Sequence, residues 1–330
     1  MSPPDPVDVS VDDVRDELPD DINAADFVGA YRFPDNSRRR IPGYIYLVLA
    51  VGCLVGLLGH HPEIAYVEPV FEIELHNNLA AGTGQMAVEA LWTLGYLGAG
   101  VAILHNDSGV DLHHPDLEPG ITASVGKMAY TDTAHGTHTA GSIVGRGLAA
   151  APENTSGCGD LTAGLPTARG MAPAAALITN NIFEGGFDDV SAMMAWGAGR
   201  GAVLSSNSWG LLGQAGPEVG YSLAAAQADG AVRDADPDEP GAQPLSIFFS
   251  AGNSGPNPET VTSPGTAKNV ITVGALQNAR CGAWVPSHQP GPDVDAVLSS
   301  SARGPSQGRI KPDLAAPGSD VLSLQSGDSY

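Results

Sequence analysis

Residues His135-Gly136-Thr137-His138-Thr139-Ala140-Gly141 decide how the rest of the chain is read. A general base needs its imidazole held at a defined place, and the small residues after His135 let the start of a helix pack closely against a neighbouring element. An isolated histidine at a helix start is ordinary. Followed by Gly136-Thr137-His138-Thr139-Ala140-Gly141, His135 is the candidate base.

Working outward from that segment, short apolar runs alternate with stretches long enough for helices. Val101-Ala102-Ile103-Leu104, Ala174 to Thr179, Ala202 to Ser206, Leu245 to Ser250 and Val270 to Val273 read as strands. Asp189 to Gly197 and Tyr221 to Ala228 read as helices between them. Such alternation predicts a parallel sheet covered on both faces, whose sites gather at the carboxyl ends of strands. Asp107 and Asn253 each lie a few residues past an apolar run, where that rule places a site.

Asp107-Ser108-Gly109-Val110-Asp111 and then His114-Pro115-Asp116-Leu117 precede the histidine segment, and Ser250-Ala251-Gly252-Asn253 follows it. Taken singly, Asp-Ser-Gly and Gly-Asn-Ser-Gly are turns. Taken together and in this order with His135, the segments resemble the subtilisin-like serine proteases (subtilases). The resemblance implies an α/β three-layer sandwich, a mostly parallel central sheet with helices on both faces. It also implies peptide-bond hydrolysis by acyl transfer, in which Asp107 steadies His135 and Asn253 donates a hydrogen bond to the oxyanion. Ser208-Trp209-Gly210 resembles the strand along which an extended peptide pairs, and Ser250-Ala251-Gly252 the opposite wall of the pocket. Trp209 also reads as a plain core aromatic.

Two departures from the family pattern are expected to matter. His105-Asn106 stands between the apolar run and Asp107. Two extra residues keep the pleat but move the carboxylate roughly 6 to 7 Å along a strand. Either a bulge absorbs the shift or His105 takes the place of the aspartate. The second departure is that no Gly-Thr-Ser-Met-Ala nucleophile segment occurs in the 330 residues. Ser299 to Gly318 and on to Tyr330 is similar to what precedes that serine, while Ser319, Ser323, Ser326 and Ser329 lack the small residues and following helix that would present a hydroxyl. Losing the serine of such a triad costs about a millionfold in rate. The expectation is a serine endopeptidase truncated before its nucleophile, inactive as this chain alone. The competing reading is a non-catalytic peptide-binding protein that keeps the cleft.

Composition bounds the partners. The net charge of -22 comes from 37 acidic against 15 basic residues, three of them lysines (Lys127, Lys268, Lys311). That balance excludes a general affinity for nucleic acid phosphates, and polypeptide substrates are what the resemblance implies. Cys53, Cys158 and Cys281 are too few for a disulfide scaffold and have no zinc spacing, although a Cys158 to Cys281 bridge is open. No cofactor is needed for the chemistry. Structural calcium is implied by the resemblance, but no ligand loop stands out, and Asp111, Asp116 and Asp132 read as solvated or turn residues.

The N-terminal part reads differently from the rest. Residues 1–40 are an acidic, proline-rich leader without periodicity, ending in Arg38-Arg39-Arg40. Residues 41–75 open with an uncharged apolar stretch, 41–59, which reads as a membrane anchor, a secretion signal or the strand and helix of an inhibitory propeptide. Each of the three implies an extracytoplasmic protein, secreted or membrane-anchored. Residues 76–330 are expected to form the subtilisin-like catalytic domain, incomplete at its C-terminus.

Overall fold

Ile103, His105 and Asp107 point to one side of a single strand, and Leu104 and Asn106 to the other, because side chains alternate along extended backbone. That strand, β2 (Ala102–Asp107), is buried from Ile103 onward. The computed structural model describes residues 72–75, 86, 88–126, 133–148, 169–187, 189–213, 216–277, 293, 295–319, 321 and 323–327, with backbone alone at 72–75 and 89. The leader, the apolar stretch 41–59, Asp132 and all three cysteines lie outside the described residues. The chain divides into Met1–Val70 and Phe71–Tyr330, and every element below belongs to the second unit.

Seven strands form one parallel sheet in the order β10-β9-β8-β5-β2-β4-β3. Besides β2 they are β3 (Ile121–Val125), β4 (Ala176–Asn181), β5 (Ala202–Asn207), β8 (Ser246–Ser250), β9 (Ile271–Leu276) and β10 (Leu314–Pro317). From β2 the chain builds outward through β4 and β3 on one side, then through β5, β8, β9 and β10 on the other. A small antiparallel sheet, in the order β1-β6-β7, joins β1 (Glu72–Leu75), β6 (Trp209–Gly213) and β7 (Gly216–Pro217).

Four helices accompany the strands among the described residues: α1 (Val88–Thr93), α2 (Ala134–Val144), α3 (Val190–Ala198) and α4 (Leu223–Ala231). Asp189 and Ser222 cap α3 and α4 by accepting the Ala192 and Ala225 amides, the usual use of short polar side chains at a helix start. Ile103 and Leu177 of the sheet share one core with Ala140 and Val144 of α2 and with Leu324. Leu104 and Ile178 share the opposite core with Met193 and Met194 of α3 and Ala225 and Ala228 of α4. Neighbouring residues of β2 and β4 thus enter different cores, which makes the sheet the middle layer of a three-layer α/β sandwich.

The sequence reading misplaces one strand end. β2 does not stop at Leu104: it pairs with β4 without interruption from Ala102↔Ala176 to Asp107↔Asn181. Its single irregularity against β5 lies at Ala102/Ile103, away from the carboxyl end. His105 and Asn106 are ordinary strand residues, and no bulge is needed. Polar residues persist inside a buried strand because each finds a partner: Asn106 Nδ2 donates to Asn207 Oδ1 at 2.9 Å, and Asn180 Nδ2 donates to Asn106 Oδ1 at 3.1 Å.

Candidate active site

Asp107 ends β2 fully buried, and Gly109, at φ +90, turns the chain away immediately after it. That conformation suits glycine, which lacks the Cβ that opposes positive φ. The turn brings the start of α2 against the strand end. Gly136 is seated so closely that an added Cβ would collide with the Gly109 carbonyl and lie 3.2 Å from Asp107 Oδ1. This close approach explains the glycine after His135.

The approach places His135 Nδ1 2.5 Å from Asp107 Oδ1. A carboxylate can only accept, so Nδ1 carries the proton and the lone pair of the neutral ring sits on Nε2. The Ser108 amide also donates to Asp107 Oδ1, at 2.7 Å, and the Thr139 hydroxyl lies 3.1 Å from Oδ2. Burial alone pushes the Asp107 carboxyl up. The hydrogen bond and charge of His135, the His105 ring and the Ser108 amide outweigh it and hold the carboxyl below its ordinary value. Asp107 is therefore an anion at neutral pH despite complete burial. Asp107, not His105, faces His135, while His105 lies beneath the pair with Nε2 3.8 Å from Asp107 Oδ2.

The remaining segments occupy the same carboxyl edge. Asn253 follows β8, half-buried, two strand spacings or about 10 Å from β2 across β5. Gly252 turns before it with φ +104. Ser250 and Ala251 are buried, and the Ala251 carbonyl accepts from the Thr262 amide at 3.0 Å. Ser208 is buried just before β6, and Gly210 lies within that strand. The Trp209 side chain is a core aromatic, 2% exposed and edge-on to Phe249 with ring centroids 5.2 Å apart. Only its backbone faces the small sheet, where Leu75↔Trp209 and Glu74↔Gly210 are paired antiparallel.

Val321 and residues 323–327 dock on α2 beside His135. His138 Nε2 donates to the Val321 carbonyl at 3.2 Å, Ser323 Oγ to the His138 carbonyl at 2.7 Å, and Gly327 N to Asp111 Oδ2 at 2.9 Å. Ser326 Oγ lies 3.1 Å from Thr133 Oγ1 and 3.2 Å from Thr137 Oγ1. Leu324 fills the space over Gly141, where an added Cβ would stand 2.5 Å from Leu324 Cγ. Asp116 is not solvated as its turn position suggests: it is fully buried and accepts the Leu148 amide at 2.7 Å. Among the described residues no three His, Cys, Asp or Glu side chains gather into a metal site, and no helix is long and apolar enough to cross a membrane.

At the carboxyl end of β2 the parallel sheet thus pairs a buried carboxylate with an imidazole. The sequence profile of the Subtilase family, peptidase S8, matches residues 98–330, and the chain belongs to that family. Serine protease AprX of Bacillus subtilis (strain 168) is 31% identical over 250 residues, which are 71% of this chain and 49% of AprX. Minor extracellular protease Vpr of the same organism is 28% identical over 207 residues, covering 56% of this chain and 22% of Vpr. Subtilisin E is 26% identical over 275 residues, 82% of this chain and 60% of that protein. The chain thus spans about half the length of AprX and less than a quarter of Vpr. Among solved structures, sphericase matches at 24% identity with a TM-score of 0.47 over 71% of each chain.

Proposed function

We propose that residues 71–330 supply the aspartate, histidine, oxyanion-hole donor and substrate strand of a subtilisin-like serine endopeptidase. The short hydrogen bond from His135 Nδ1 to the buried, ionised Asp107 carries the reading. It leaves the basic Nε2 for a nucleophile's proton, and the neighbouring anion stabilises the imidazolium that forms. Asn253 donates its side-chain amide to the oxyanion of the tetrahedral intermediate. A polypeptide substrate pairs with the backbone of Ser208-Trp209-Gly210, opposite Ser250-Ala251-Gly252. Acyl transfer needs no cofactor, and calcium, if bound, is structural.

No Gly-Thr-Ser segment occurs in the 330 residues, and Ser323 and Ser326 are engaged with α2. In the 330-residue chain β1 lies along β6, the strand assigned to substrate. This supports the propeptide reading of residues 41–75, with Glu72–Leu75 standing where a peptide would bind. Vpr is an extracellular protease, which agrees with export.

Labelling with a fluorophosphonate serine probe tests the proposal. The 330-residue chain is expected to stay unlabelled. A fusion that adds a Gly-Thr-Ser nucleophile segment after Tyr330 is expected to label, and His135→Ala to abolish that labelling. Stoichiometric labelling of the 330-residue chain would show that it holds its own nucleophile. A fusion that binds peptides yet never labels would favour the non-catalytic reading.

A further inference from the structure

The His105 ring is a buried titratable group beside Asp107 that the proposed chemistry leaves unused, and its placement is specific. It is 1% exposed, one pleat below Asp107 on the same face of β2. Nε2 lies 2.8 Å from Thr139 Oγ1 in α2, and Nδ1 lies 3.5 Å from Thr179 Oγ1 in β4. Thr139 Oγ1 in turn stands 3.1 Å from Asp107 Oδ2, 3.2 Å from the His135 carbonyl and 3.2 Å from the Gly136 carbonyl. Three acceptors therefore compete for one hydroxyl proton.

A threonine inside a helix commonly gives that proton back to the carbonyl one turn earlier. The Asp107 Oδ2 lone pairs would then face the Thr139 oxygen without a proton between them, inside a site where an unsatisfied charge is costly. The outcome turns on what His105 presents to Thr139. A bare Nε2 would itself draw the hydroxyl proton, at the shortest of these distances. A protonated Nε2 donates to Thr139 Oγ1 and leaves the hydroxyl proton for the strongest acceptor remaining, the carboxylate.

We infer that His105 is a positioning residue: as the neutral Nε2–H tautomer it donates to Thr139, which commits the Thr139 hydroxyl to Asp107 Oδ2. Thr179 then donates to His105 Nδ1, and every proton in the chain has one donor and one acceptor. Both carboxylate oxygens are held, Oδ2 by Thr139 and Oδ1 by Ser108 and His135, so the carboxylate plane is locked while it faces the imidazole. Burial, opposed by Asp107 and reinforced by His135, disfavours a charged His105 ring. Its contribution is therefore a directed hydrogen bond, not a charge. The inference rests on the reading that Asp107 and His135 work as an acid–base pair.

Nuclear magnetic resonance of the 330-residue chain with ring-¹⁵N histidine tests it without a substrate. In the wild-type chain His105 is expected to show a protonated Nε2 and a bare Nδ1 throughout pH 6 to 9. A bare Nε2, or a ring charged across that range, overturns the inference and needs no variant. Thr139→Val keeps the shape but deletes the hydroxyl, so the less-compensated carboxylate raises the His135 pKa by about half a unit. His105→Leu should do the same, the double variant no more than either alone, and His105→Gln, whose amide N–H reaches the place of Nε2, should restore the wild-type value. An unmoved His135 titration in Thr139→Val also overturns it. Asp107→Asn separates the two ideas: if it too leaves His135 unmoved, the pair itself is absent, whereas a response to Asp107→Asn alone removes only the role of His105.

Discussion

The two faces of β2 begin alike and end differently. Toward α2 the strand presents Ile103, then His105, then Asp107; toward α3 it presents Leu104, then Asn106. Both faces start apolar and turn polar at the carboxyl end, all of it buried. On the α2 side the polar groups are titratable and converge on His135. On the α3 side they are neutral amides that tie β4, β2 and β5 together through Asn180, Asn106 and Asn207. A buried amide network satisfies strand ends without adding charge, so the one ionised group in this region stays focused on the imidazole.

Substitutions on the two faces should separate along this line. In a fusion that adds a Gly-Thr-Ser nucleophile segment after Tyr330, Asp107→Asn lowers kcat for a peptide substrate by about 10⁴-fold, the order found when a triad carboxylate becomes an amide. Leu324→Ala, which empties the space over Gly141 beneath the histidine helix, costs about 2–4 kcal/mol in urea unfolding. Asn106→Leu strands Asn180 Nδ2 and Asn207 Oδ1 and costs about 1–3 kcal/mol, while the proton shared by His135 and Asp107 keeps its chemical shift. A change of that shift in Asn106→Leu would mean the two faces are coupled, and the comparison fails.

The smallest effect is on pH dependence. Burial lowers the pKa of His105 and His138 below 6.5, so the unfolded chain takes up protons that the folded chain refuses. Stability falls as pH drops below 6.5, by up to about 1.4 kcal/mol per pH unit for each group. His105→Gln should remove one group's share of that slope, measured as urea midpoints between pH 7 and 5. Asp107 acts lower on the scale: its depressed carboxyl contributes stability above an ordinary value of 3.8 that is lost as pH falls through its folded value. Asp107→Asn should blunt acid unfolding below about pH 4.

Much of this was legible in the chain. The apolar runs marked five strands of the parallel sheet to within a few residues at their starts, because strands buried on both faces carry near-continuous apolar sequence. Their ends were less legible, and β2 shows why: His105 and Asn106 look like a break in an apolar run, yet the period of two places His105 on the face of Asp107 and that signal was available. Nothing local announces Thr139 or Thr179 as partners of His105, since they come from α2 and β4, 34 and 74 residues away. Trp209 resembled a cleft residue by its neighbours and proved to be core by its packing on Phe249.

By itself the sequence determined the family and the parallel α/β class, because the apolar runs and the ordered Asp107, His135 and Asn253 segments are local patterns of residue types. Tertiary structure alone decided which residue of His105 and Asp107 faces the imidazole, which oxygens hold the carboxylate, and that β1 lies along β6. Those outcomes depend on strand register and on hydrogen-bond partners brought together from distant segments, and a linear pattern of residue types does not carry either.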